Sequence, residues 1–198
     1  MCRLVETIKL KDGIFENLEI HNERFNNSRK AFFGVKEYLD LNEILKSCEF
    51  EKNGLFKCRV IYYKKEIVRV EFIPYVLRQV KSLKIVEADV DYSYKYEDKS
   101  NINKLLDLRD NCDDILILKN NRLTDTSAAN IAFFDNDRWY TPLYPLLKGT
   151  KREKLLREKV IFEEDLTLSN LKRFSKAALF NTMVDFGETI LPVSNIVY

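Results

Sequence analysis

Two strongly β-forming stretches, 55–63 (Leu-Phe-Lys-Cys-Arg-Val-Ile-Tyr-Tyr) and 66–73, are separated only by Lys64-Lys65. So short a connection predicts an antiparallel hairpin, and with it an antiparallel sheet in the first half of the chain. Around the hairpin, residues 3–10 read as a strand and Asp12-Gly13 as a turn into a second short strand. Residues 20–33 read as a helix stopped at Gly34, since glycine readily takes the left-handed conformation that ends helices. A short helix is expected around 42–48 and a further strand over 83–87.

The pattern changes after about residue 90. Ile102, Leu105 and Leu106 recur at helical spacing, which predicts a helix over 99–109 capped by Asp98 or Ser100. Asp114-Ile-Leu-Ile-Leu is a buried-strand run, and Asn120-Asn121 turns the chain. Residues 130–134 and 138–141 form an expected hairpin around Asp135-Asn136-Asp137. A helix follows Gly149-Thr150, with alternating strands and helices expected to the end. The expected class is α/β in two subdomains: an α+β half over 1–88, then a mixed α/β half over 89–198. No Pro- or Gly-rich linker divides them, so tight packing is expected.

A chain of 198 residues can bury a real core. Its 33 Lys and Arg against 31 Asp and Glu leave a net charge of +2, which gives no reason to expect a nucleic-acid or membrane partner. No apolar run approaches the roughly 20 residues of a membrane span. The opening Met-Cys-Arg-Leu-Val-Glu has no apolar signal core, so a cytoplasmic location is expected. Cys2, Cys48, Cys58 and Cys112 are scattered and the chain has one histidine, His21, which argues against zinc or another metal. Four reduced, mostly buried thiols are expected instead. His21 alone reads as a structural or surface residue, and no glycine-rich nucleotide loop is present.

Three local features bear on chemistry. Tyr92-Ser-Tyr-Lys95-Tyr sets a lysine among aromatics, where desolvation can make an amine a nucleophile or base near neutral pH, although a snorkelling surface lysine has the same pattern. Leu123-Thr-Asp-Thr-Ser-Ala-Ala-Asn130-Ile places Asp125 among small residues, as a flat ligand near backbone needs; an ordinary β-turn is the plainer reading. Leu146-Leu-Lys-Gly149-Thr150-Lys151-Arg152 enters a helix whose first N–H groups can meet a phosphate, or serve as a plain cap.

In this order the three features resemble the class IV pyridoxal-phosphate enzymes. That group holds branched-chain and D-amino-acid aminotransferases and 4-amino-4-deoxychorismate lyase. The resemblance extends over nearly the whole chain. Glu6-Thr-Ile, Asp12-Gly13 and Leu18-x-x-His21-x-x-Arg24 are similar to the family's opening. Tyr94-Lys95-Tyr-x-Asp98 is similar to its lysine segment. Asp114-Ile-Leu-Ile-Leu, Thr124-Asp-Thr-Ser-x-x-Asn130-Ile, Thr141-Pro142 and Leu147-x-Gly149-Thr-x-Arg152 follow in the family's order.

The resemblance implies fold type IV: two subdomains, the second barrel-like, with pyridoxal 5'-phosphate in the cleft and a homodimer completing the site. Lys95 would be the Schiff-base lysine and the acid–base group, ahead of Lys84 and Lys99. Asp125 would keep the pyridine nitrogen protonated, although the family usually carries Glu, one methylene longer. Arg24, Thr150, Lys151, Asn181 and Thr182 would hold the phosphate. Arg59 would face a substrate carboxylate, with a strand-face structural role an equal alternative. The chain is short for the family, chiefly in its first half, and Lys99 stands where Arg is common; both blur the substrate. The implied activity is elimination of pyruvate from 4-amino-4-deoxychorismate to give 4-aminobenzoate. Amino transfer between a small amino acid and a 2-oxo acid, and a non-catalytic binding domain, are the alternatives.

Overall fold

The computed structural model describes residues 2–198. The chain divides into two units: one runs up to Leu77 and also takes Tyr94–Asp98, and the other comprises Arg78–Ser93 and Lys99–Tyr198. The first unit thus ends well before residue 88, yet regains the short segment that carries Lys95. That segment joins it by backbone pairing: Val5 N–H donates to Lys95 O at 2.9 Å, Glu97 N–H donates to Arg3 O at 3.0 Å, and Leu4 bridges Tyr96.

The first unit is a four-stranded antiparallel sheet under two helices. Its strands are β1 (Leu4–Lys11), β2 (Ile14–Phe15), β3 (Leu55–Tyr63) and β4 (Glu66–Pro74), in the order β2-β1-β3-β4. Lys64 takes a positive φ in the β3–β4 turn, as so short a hairpin requires. Period-2 alternation turns Leu4, Ile8, Leu10, Cys58, Val60 and Tyr62 to one face. There they meet Phe25 of α1 (Leu18–Phe33) and Leu41 and Leu45 of α2 (Leu41–Lys46). Gly34 ends α1 at φ 72°, its N–H turned back to Arg29 and Lys30 carbonyls.

The second unit holds two sheets. One contains β5 (Leu83–Glu87), β6 (Asp114–Lys119) and β7 (Arg122–Thr126), with β13 (Ile196–Val197) at its edge, in the order β13-β5-β6-β7. Asn120 and Asn121, both at positive φ, make the β6–β7 turn. The other contains β8 (Asn130–Phe134), β9 (Trp139–Pro142), β10 (Phe162–Glu164), β11 (Lys176–Phe180) and β12 (Thr189–Pro192), in the order β10-β9-β8-β11-β12. Their shared core runs from Leu83, Leu116 and Leu118 to Ile131, Phe133 and Leu179. Outside it, Ile102 of α3 (Ser100–Leu106) covers Ile115 and Ile117, and Leu155 of α4 (Thr150–Arg157) covers Ala132 and Phe180.

The structure corrects three expectations. Lys99 is the residue at the cap position of α3, without a side-chain capping bond, rather than Asp98 or Ser100. After α4 no further α-helix forms among the described residues; Leu168–Arg173 and Val193–Asn195 are short 3-10 helices. In the former, Thr167 and Asn170 close a reciprocal capping box, and Phe174 is already extended. Of the four cysteines, all reduced, only Cys58 is buried; Cys48 and Cys112 are half-buried and Cys2 is exposed. No helix of the described residues is long and apolar enough to cross a membrane.

Candidate active site

In the first unit the charged residues converge on one carboxylate. Glu6 lies on the core face of β1, in line with Leu4 and Ile8, and is 1% exposed. Burying a carboxylate there demands partners. Helix α1 supplies them from positions three residues apart, which share a helix face. His21 donates from Nδ1 to Glu6 Oε2 at 2.6 Å. Arg24 closes a fork, Nε to Oε1 at 2.9 Å and Nη2 to Oε2 at 2.6 Å. Burial alone would raise the Glu6 pKa, but the Arg24 guanidinium and the His21 hydrogen bond carry it down to about 2. Burial lowers the His21 pKa, opposed by Glu6 and assisted by the nearby positive charges of Arg24 and Lys95. Arg24 and Lys95, expected as functional groups, thus lie in one electrostatic neighbourhood.

Arg59 is in the same unit, on the sheet face opposite that core, paired across β1–β3 with Thr7. Its Nη1 donates to Glu71 Oε2 at 2.5 Å. Glu71 also takes Arg69 Nε at 2.7 Å, and Arg69 reaches Glu97 at 2.7 Å. The structure therefore gives Arg59 an ion-pair partner on its own sheet.

In the second unit the arrangement is different. Asp125 lies on β7, 5% exposed. It accepts from Asn130 Nδ2 at 2.8 Å and from the Leu147 N–H at 2.9 Å. Asn130 Nδ2 also donates to Leu147 O at 2.9 Å, so one amide ties β7 to the approach to α4. Both donors to Asp125 are neutral, and no cation forms an ion pair with it among the described residues. Burial dominates, and the Asp125 pKa is pushed up to about 6 despite those bonds and the field of Arg152.

Gly149 follows immediately. A Cβ there would stand 2.1 Å from Asn130 Oδ1, so only glycine lets the amide pass. Gly149 is also the N-cap of α4 and offers no side chain to its first N–H groups, those of Thr150 and Lys151. The Lys151 ammonium turns to Asp185 instead. Asp185 closes the loop that starts at Asn181, whose Oδ1 accepts the Met183 and Val184 N–H groups at 2.8 and 3.0 Å. Asn181 Nδ2 donates to Ala128 O at 3.0 Å. Asp125, Thr150, Lys151, Asn181 and Thr182 are therefore brought together in one region of this unit. Arg152 is buried there too, with Nη2 on Pro142 O and Glu163 and with Nε lacking a hydrogen-bond partner.

The sequence reading gave no role to Glu6, His21, Asn130 or Arg152. A signal for Glu6 was present: an acid in phase with Leu4, Ile8 and Leu10 must find partners inside. Asn130 had none by periodicity, because its importance comes from the Gly149 contact nineteen residues away.

Comparison with known proteins shows the family. The model of the family described as amino-transferase class IV matches residues 105–196. An uncharacterized protein of Haemophilus influenzae is 33% identical over 92% of this chain and 98% of its own length. A crystal structure of a candidate 4-amino-4-deoxychorismate lyase from Haemophilus somnus 129PT is 31% identical, covering 93% of this chain and 97% of that one, with a TM-score of 0.86. A hypothetical aminotransferase of Mycobacterium tuberculosis in its PLP-bound form has the same fold at 16% identity, with a TM-score of 0.78 over 98% of this chain and 81% of that one. The chain belongs to the class IV aminotransferase family of pyridoxal-phosphate enzymes.

Proposed function

We propose that the chain is a pyridoxal-phosphate lyase that releases pyruvate from 4-amino-4-deoxychorismate and forms 4-aminobenzoate, working as a cytoplasmic homodimer. The observation that carries the cofactor assignment is Asp125, a buried carboxylate with neutral donors on both oxygens and no ion pair. A protonated pyridine nitrogen is the cation such a group lacks. The α4 start, capped only by Gly149, suits a phosphate, so the residues fit the cofactor.

When bound, pyridoxal phosphate supplies an aldehyde that condenses with amines and a protonated ring that withdraws electrons from the substrate. Asp125 would hold the proton on the ring nitrogen. Arg24, the Thr150 and Lys151 N–H groups, Asn181 and Thr182 would hold the phosphate. Lys95 would carry the cofactor, then remove the substrate ring proton at its Nζ as the ring C–O bond breaks, and return that proton to the departing enolpyruvate, which leaves as pyruvate. Aromatisation drives that step. The relative from Haemophilus somnus, similar over nearly the whole chain, supports the lyase over amino transfer.

Purified protein given 4-amino-4-deoxychorismate should release pyruvate and 4-aminobenzoate in equal amounts, and Lys95→Ala should lower turnover by at least about a thousand-fold. Amino transfer that needs a 2-oxo acid, with no pyruvate formed from 4-amino-4-deoxychorismate, would replace the lyase with an aminotransferase.

A further inference from the structure

We propose that Glu6 is a positioning residue for cofactor capture: from the floor of the β-sheet it orients the Arg24 guanidinium toward the phosphate, with His21 fixing Glu6 in turn. The proposal rests on the reading of Arg24 as a phosphate ligand. Its basis is the shape of the fork. Glu6 engages Arg24 side-on, through Nε and Nη2. A guanidinium has a second, end-on edge, formed by Nη1 and the other Nη2 hydrogen. That is the edge a phosphate would take.

Arginine on a helix surface has several rotatable bonds, and ordering them on binding weakens the complex. Here the ordering is done in advance by a strand residue that is itself immobile. Glu6 is 1% exposed, and His21, whose Nδ1 fixes the shared Oε2, is 0% exposed. Arg24 remains 16% exposed at its side chain, so it reaches the surface of its unit from a buried anchor. A competing effect has the opposite sign. Glu6 is an anion and offsets the charge of Arg24, so removing it makes the locality more positive. If charge dominated, losing Glu6 would tighten phosphate binding; if orientation dominates, it weakens it. The bidentate geometry and the burial of the anchor favour orientation.

The test compares the apo-protein's affinity for pyridoxal 5'-phosphate with that for pyridoxal, which lacks the phosphate, by absorbance titration. The ratio reads phosphate recognition alone, and general loosening of the fold would not move it selectively. Glu6→Gln should weaken pyridoxal 5'-phosphate by about ten-fold or more, the worth of a lost charge-assisted bond, and leave pyridoxal unchanged. An unchanged ratio, or tighter phosphate binding, overturns the proposal. If the Gln chain does not fold, Glu6→Asp decides: the charge stays but the fork is one methylene short, and the ratio should fall by about three-fold or more. An unchanged ratio there overturns the proposal equally. Arg24→Ala separates the two layers of the argument. If its ratio also stays at the wild-type value, the phosphate reading of Arg24 fails; if it collapses while the Glu6 variants hold, only the role of Glu6 fails.

Discussion

Glu6 and Asp125 are both carboxylates on strands and both almost wholly buried, yet burial leads them in opposite directions. In the first unit Glu6 is met by Arg24 and His21, and its pKa falls to about 2. In the second Asp125 is met by an amide and a backbone N–H, and its pKa rises to about 6. The desolvation cost is common to both; a cation within hydrogen-bond reach decides the sign. A carboxylate completed by its own fold serves as structure, here an anchor for an arginine. One held in place but left without a cation suits a positively charged ligand, the role proposed for Asp125.

The largest break in this comparison comes from Arg24→Ala. It leaves Glu6 buried with His21 as its one remaining partner of the two, so apo-protein stability in urea should fall by about 3–5 kcal/mol. A loss below about 1 kcal/mol would mean that Arg24 does not compensate Glu6.

Asp125→Asn sharpens the other side. The folded pKa of Asp125 lies above its ordinary 3.8, so well below pH 3.8 both folded and unfolded states are protonated and burial of the charge costs nothing. Between about pH 4 and 6 the unfolded state ionises first and stability falls; above 6 the full penalty of about 3 kcal/mol persists. The Asn variant should lose that pH-dependent fall, even though exchanging an oxygen for a donor disturbs one of the two bonds at every pH. Identical stability profiles for the two proteins between pH 4 and 7 would contradict the assignment. Glu6 acts in the opposite sense: its contribution is present above pH 4.5 and is lost as pH falls toward 2.

Gly149→Ala has the smallest expected effect, about 1–3 kcal/mol, from the Cβ forced against Asn130 Oδ1. Because Asn130 steadies Asp125, cofactor affinity should fall as well. Wild-type affinity in the Ala variant would show that Asn130 is not needed there.

What the sequence made legible follows the range of the forces involved. Turns governed by one or two residues were readable: Gly34 stops α1, and Asn120-Asn121 supplies the left-handed pair between β6 and β7. A strand was also readable near 83–87, where β5 (Leu83–Glu87) forms. The order of motifs gave the family and pointed to Lys95, Asp125 and Arg24. The later helices were misread because Leu168–Arg173 has the composition of a helix start, but its capping box leads into a short 3-10 helix before β11 claims the chain. The partners of Asp125 were not legible, because Asn130 and Leu147 are drawn to it by the packing of β7, β8 and the approach to α4.

The central claim is that Lys95 carries pyridoxal phosphate, and an absorption spectrum with chemical trapping tests it most directly. Purified protein mixed with pyridoxal phosphate should show a near-ultraviolet to violet band that borohydride abolishes, and peptide mapping should place the reduced adduct on Lys95. No band with excess cofactor, or an adduct confined to Lys84 or Lys99, would contradict it.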